Sequence, residues 1–330
     1  NQPIILNDSF ISDNGNDGVY MAAEAFGGGS GDQTVFVDDS YIGDNGDDGI
    51  EMYNYATGNN GATLSDSDQA LLVSDSFIGY NVDDGIDSYT YTYDQGSTFT
   101  YIGVYDSTVS YNGGDGLYAF VYAYNDDAVY TATAVQISQI DESGFVENGD
   151  DGLDIAAGSF STLGDAGAIA YQYMGFHDSA ALANGDNGME TSTFAVGPSS
   201  TTLQNIVIDP SFLSYNAGDG LEMTNYASVQ GFVYVDLYIY GTSVGYPVYG
   251  TYNEFSENGD DGIDIVNVAL SGGTVLNDID IYYTNIDANG DDGIYIGNFS
   301  IGYYPGALYD YSSTIQQYIY VVYGSMSYNG

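Results

Sequence analysis

The 330-residue chain carries 47 Asp and Glu, no Lys or Arg and a single His, for a formal charge of −47. Without basic residues it has nothing to set against phosphate, which excludes nucleic-acid binding and attachment to anionic lipid through a polybasic patch. No Cys is present, so disulfides and thiolate metal sites are excluded, and no apolar run approaches the ~18 residues of a membrane span. With 44% hydrophobic residues, 36 of the 330 being Tyr, the chain can still bury a core.

Taken from its start, the chain opens at Asn1 without Met or signal peptide, as expected of a mature product or a fragment. The phrase Asn-x-x-Asp-Gly-apolar first occurs at Asn14 and is written most fully as Asn45-Gly46-Asp47-Asp48-Gly49-Ile50. It returns at Asn81, Asn112, Asn148, Asn184, Asn216, Asn258 and Asn289, with Asn187 in place of the Asp in one copy, and begins again at Asn329. An apolar or small residue stands three places before each Asn (Ile11, Ile42, Ile78, Val109) and another follows the second Gly (Val19, Ile50, Ile86, Leu117). Successive motif glycines, Gly18, Gly49, Gly85 and onward to Gly293, lie 31 to 42 residues apart. A constant motif at unequal spacing predicts a fixed turn plus a loop of variable length.

After each motif, apolar and acidic residues alternate, as in Ile50-Glu51-Met52 and Ile263-Asp264-Ile265. Period two predicts a half-buried strand. A second strand follows, often with alternating Tyr, as in Phe232–Tyr240, and leads through a short Asp-Ser corner (Asp8-Ser9, Asp39-Ser40, Asp75-Ser76) back to the Asn turn. No stretch reads as helix. The predicted fold is all-β: one continuous, right-handed parallel β-solenoid over residues 1–330, with nine to ten rungs of 31–42 residues, stacked at about 4.8 Å into a rod ~45 Å long. The chain enters and leaves within repeats, so the solenoid is expected to be uncapped or part of a longer array.

Within the motif, Gly and Asn are the residues that tolerate a left-handed backbone, and they are expected to make the corner on that account. Stacked in register, the asparagines should form an amide ladder. The acids fall into columns. Asp17, Asp48, Asp84, Asp115, Asp151, Asp219, Asp261 and Asp292 make one; Glu51, Asp87, Asp154, Glu190, Glu222 and Asp264 make a second, interrupted by Tyr20, Tyr118 and Tyr295; Asp47, Asp83, Asp150, Asp186, Asp260 and Asp291 make a partial third. Carboxylates ~5 Å apart repel by about 0.8 kcal/mol at the dielectric of water and about 3 kcal/mol at an effective value of 20. No Lys or Arg offsets this, so cations, raised pKa values or splayed side chains must. Asp48, Glu51, Asp84, Asp87, Asp151, Asp154, Asp219, Glu222, Asp261, Asp264 and Asp292 are the candidate ligands, and Ca²⁺ is the cation that clustered carboxylates suit. Tyrosines that alternate with buried aliphatics should point outward and stack from rung to rung.

The phrase Asn-Gly-Asp-Asp-Gly-Ile-x-Ile, with an apolar residue three before the Asn, resembles the right-handed parallel β-helix repeat of the pectate-lyase-like superfamily along nearly the whole chain. The rungs here are longer than that family's, which run a little over twenty residues. The resemblance implies a polysaccharide lyase, hydrolase or epimerase as one outcome. Against this, the basic residues on which those lyases rely are absent, and the acids recur on every rung. His177 beside Asp178-Ser179 does not suggest a triad, because the Asp-Ser corner recurs without His. No catalytic or organic-cofactor site is therefore expected. The expected function is an extracellular or cell-surface structural rod, a subunit of a filament, sheath or surface layer, assembling head to tail with copies of itself and stabilised by cations. A polysaccharide-binding adhesin acting through Tyr is the alternative.

Overall fold

In the computed structural model, residues 3–58, 65–126, 131–162, 167–240, 253–301, 313–322, 325–327 and 329 are described below. The chain coils as a right-handed parallel β-helix. Three parallel sheets of ten, ten and nine strands form its walls, each strand pairing with its counterpart one turn before and after. One rung shows the plan. Ser30–Asp38 lies in the first sheet, Tyr41–Gly43 in the second and Ile50–Thr57 in the third, and Ser65–Ser74 then starts the next turn. The second sheet, of three- and four-residue strands, has no counterpart in the sequence reading, which took those residues as corner. Among the described residues there is no helix.

Alternation fixes which side of each strand faces in. Ile50–Thr57 is buried at every second position, and so are its successors up the coil. The long first and third sheets face each other across the interior. Near the short sheet the core is wide and filled by Ile42, Ile50, Met52, Leu71 and Phe145. At the opposite edge the filling is small, with Val121, Ala123, Ala132, Ala134, Ala157, Ala168 and Ala170 in one cluster. There Thr90 Oγ1 donates to Thr100 Oγ1 at 2.7 Å across the gap. The cross-section therefore tapers, and side-chain size follows the taper. The rungs differ in length mainly where the third sheet returns to the first. The 42-residue spacing is a different case, because its extra residues, 241–252, fall between Phe232–Tyr240 of the first sheet and Asn253–Ser256 of the second, outside the described residues.

The asparagine ladder forms as expected. Each Nδ2 donates to the Oδ1 of the next Asn, from Asn14 onto Asn45 at 2.8 Å through to Asn289 onto Asn329 at 3.2 Å. The same Oδ1 also accepts the backbone N–H of the preceding rung, as Asn148 Oδ1 does from Asn112 at 3.3 Å. A serine ladder runs beside it: Ser40, Ser76, Ser107 and Ser143 each offer Oγ to the backbone N–H of the serine one rung before, at 3.0–3.1 Å.

The corner is not made the way the motif predicts. Neither the ladder asparagines nor the motif glycines adopt positive φ. The left-handed residue is the one before the Asn, such as Asp44 (φ 56°), Tyr80 (62°) and Glu147 (57°), and a second left-handed position is the Asp of the Asp-Ser corner, such as Asp39 at 45°. Gly49 is required for closeness instead. A Cβ there would lie 2.6 Å from the carbonyl oxygen of Gly85 and 2.7 Å from Nδ2 of Asn81, so a side chain would force the rungs apart. Glycine clears the space in which the amide ladder stacks.

Asn112 is 3% exposed and accepts from both the backbone and the side chain of Asn81. Replacing it by Ala leaves two buried donors without acceptors, at roughly 1–3 kcal/mol each. Urea denaturation of N112A is expected to show a loss of stability of roughly 2–6 kcal/mol for the two together, and an unchanged midpoint would mean that the ladder is not a stabilising element.

Candidate functional site: the acidic corner

Just beyond each Asn turn the chain lays down its acids, and in-register stacking places them in files. In the first column the carboxylates do not simply face one another. Asp48 Oδ1 accepts the backbone N–H of Asp84 at 2.9 Å, Asp84 that of Asp115 at 2.6 Å, and Asp115 that of Asp151 at 2.8 Å. The pattern continues through Asn187, which receives the N–H of Asp219 at 2.7 Å, to Asp261, which receives that of Asp292 at 2.6 Å. Asn187 therefore fills the position of an Asp without breaking the ladder. Its spare amide donates to Glu222 at 3.1 Å.

The second column is cut into two compartments. Register places Tyr20 against Glu51, Glu51 against Asp87 and Asp87 against Tyr118. Beyond Tyr118 follow Asp154, Glu190, Glu222 and Asp264, closed by Tyr295. The interrupting tyrosines thus fence a lower compartment of two acids from an upper one of four. Burial drives the phenol of Tyr118 well above its ordinary pKa, so the fence is a neutral hydroxyl.

Burial is also the main cause of the carboxyl shifts. It lifts Asp48, Asp84, Asp115 and Asp219 to about 7 against the pull of the backbone N–H each accepts. Asp87 has no such N–H and rises to about 9, and Asp154 rises to about 7. Glu51, Asp151, Glu222, Asp261 and Asp264 are raised as well, each chiefly by burial with neighbouring acids adding to it.

Some of the candidate ligands are brought together and others are not. Carboxylate oxygens lie within 4.8 Å of one another in five groups: Asp17 with Asp48 and Glu51; Asp47 with Asp48 and Asp83; Asp48 with Asp84 and Asp87; Asp150 with Asp151 and Asp186; Asp260 with Asp261 and Asp291. Among the described residues, Asp154, Asp219, Glu222, Asp264 and Asp292 join no such group. The sequence placed Asp17 and the third column in their files without singling them out as ligands. Their proximity depends on how the turn folds each acid over the next.

Two other surfaces complete the picture. On the outside of the third sheet aromatic rings touch diagonally from rung to rung, Tyr53 to Tyr91 at 5.9 Å and Tyr55 to Tyr93 at 5.5 Å, one step ahead of their backbone partners. Phe194 reaches Tyr122, two rungs below it, at 5.9 Å, crossing Gly158, where a Cβ would stand 2.0 Å from its ring. At the Asp-Ser corner, Phe10, Tyr41 and Phe77 stack at 4.7 and 5.5 Å along a shallow groove whose other side is Asp8, Asp39, Asp75 and Asp106. Ser179 donates to the backbone carbonyl of His177 at 2.6 Å and belongs to the serine ladder, so no Ser–His pair forms.

No family profile, curated protein or solved structure matches the chain. Its function is argued from the coil and the acidic corner.

Raised carboxyl pKa values carry a definite sign. Between its unfolded value near 4 and its folded value near 7 to 9, each such group binds more protons folded than unfolded, so stability falls as pH rises through that window. Without divalent cations, thermal melts at low salt are therefore expected to show the melting temperature dropping from pH 5 to pH 9. A melting temperature that rises across that range would show that the acids are not held in this state.

Proposed function

We propose that the protein is a non-enzymatic structural rod of the cell exterior, a subunit of a filament, sheath or surface layer. It would extend by end-on addition of further copies, with cations relieving its acid columns. The observation that carries this reading is the continuity of the ladders. Asparagine, serine and aspartate files run through the described rungs with the same bonds at nearly every step, which supports a repetitive mechanical role rather than one catalytic cleft. The ladders are also polar: each Asn donates one way along the axis and accepts the other, so copies added head to tail would continue them, as a heterologous, non-closing contact requires.

Placement outside the cell fits the charge, because stacked carboxylates without basic partners suit Ca²⁺, which extracellular modules bind in the 10⁻⁴–10⁻³ M range. The likeness to the pectate-lyase-like superfamily extends to the coil; hydrolases of that superfamily use Asp clusters, but here the acids recur from rung to rung, whereas a catalytic site would be a singular departure from the repeat.

The corner groove gives the adhesin reading its own support. The stack of Phe10, Tyr41 and Phe77 gives the groove an apolar wall, and Asp39 and Asp75 on its other side offer acceptors to sugar hydroxyls. Electron microscopy of the purified chain with Ca²⁺ tests the first reading, which expects thin unbranched fibres. Isolated rods at high concentration, together with retention on a glycan array, would overturn it in favour of the second.

A further inference from the structure

We propose that Asp17, Asp48, Glu51, Asp84 and Asp87 form a discrete centre for two adjacent divalent cations of the calcium class, bridged by the Asp48 carboxylate. This deepens the cation-dependent part of the proposed function and is independent of end-on assembly.

Three groups of converging carboxylates share Asp48: one with Asp17 and Glu51, one with Asp84 and Asp87, and a third with Asp47 and the exposed Asp83, which the centre does not include. Asp48 commits Oδ1 to the backbone N–H of Asp84, which holds the side chain fixed and leaves its second oxygen to bridge. Asp87 supplies the independent sign of a missing ligand. It is 7% exposed, and its buried Oδ1 has no hydrogen-bond partner, which is costly for an ionisable oxygen unless a positive group meets it. The buried Oδ1 of Asp17 is likewise without a partner, at the one step where the first column departs from its rule. From Asp48 to Asp261 each member takes the N–H of the next rung, but Asp17 does not take that of Asp48. The chain has no Lys or Arg to serve instead.

The ligand set decides the kind of ion. It is all carboxylate oxygen, with no His or Cys, which selects a hard cation. Oxygens that all lie within 4.8 Å of one another can reach a shared ion, and several carboxylates drawn from three rungs suit the flexible coordination of Ca²⁺ better than the strict octahedron of Mg²⁺. Tyr20 and Tyr118 bound the second column's share of this centre along the axis, and the converging groups at Asp150, Asp151 and Asp186 and at Asp260, Asp261 and Asp291 hold no buried carboxylate oxygen without a partner, so the centre is assigned to the first three rungs. The upper compartment lacks it, since Asp154 and Glu222 join no converging group among the described residues.

Isothermal titration of Ca²⁺ into the full chain at pH 7.5 in ~0.15 M NaCl, a salt that screens diffuse attraction, tests this directly. The expected result is two saturable ions per chain. D87N should lose one of them, with affinity falling at least ~10-fold, about 1.4 kcal/mol. D48N should lose both, and D154N should keep both. D48N is expected to fold, because Asn187 already holds the same column as an amide, and the near-UV dichroism of the tyrosines checks this for each variant. Heat that never saturates, or D87N titrating like the parent chain, would overturn the proposal in favour of screening or proton sharing between Asp17 and Glu51. The titration is read on dispersed chains, so its failure leaves the fibre reading intact, and the absence of fibres leaves the centre intact.

Discussion

In-register parallel stacking puts each side chain about 4.8 Å from its own equivalent, and the rest of this structure follows from that constraint. For Asn, Ser and aromatic residues the repeat is favourable, because an amide or hydroxyl both donates and accepts and a ring finds another ring. For Asp it is not, since ionised carboxylates only accept and at this distance repel by about 1 to 3 kcal/mol per pair. The protein stacks all of these along one coil without a single Lys or Arg.

Several local devices lessen the repulsion. From Asp48 to Asp261 the first column turns each carboxylate onto a backbone N–H of the next rung, so that a carboxylate meets a donor as well as another carboxylate. Asn187 replaces one acid and lends its amide to Glu222. Tyr118 separates Asp87 from Asp154. What remains falls on protons and cations, at Asp17, Asp87 and Asp264, whose buried oxygens have no donors. The aromatic face of the third sheet lies on the same strands as the second acid column, one position further along, so Glu51 and Asp87 are flanked by Tyr53 and Tyr89. Burial that stabilises the rings is thus the same burial that raises the carboxyl pKa values.

Much of the fold is legible in the residues. The Asn-x-x-Asp-Gly phrase marks the turns, alternation after Gly49 or Gly262 marks the strands, and stacking predicts the amide ladder that Asn45, Asn81 and Asn112 form. The short second sheet is not legible, because three residues such as Tyr41–Gly43 are too few to show a period. The conformational role of the motif is not legible either. Positive φ falls on Asp44 and Tyr80, residue types that vary from rung to rung, while Gly49 is selected by a neighbour 36 positions away in sequence. The columns of the site could be read, but the convergence of Asp48 with Asp84 and Asp87, and not of Asp219 with Glu222, depends on side-chain directions that spacing does not encode.

The fold forces protons or cations onto its acidic corner. Parallel potentiometric titrations of the chain folded and unfolded in urea, at low salt and free of divalent cations, measure this. Between pH 5 and 8 the folded chain is expected to bind several more protons than the unfolded one, and Ca²⁺ is expected to release them. Coincident titration curves, unaffected by Ca²⁺, would contradict this.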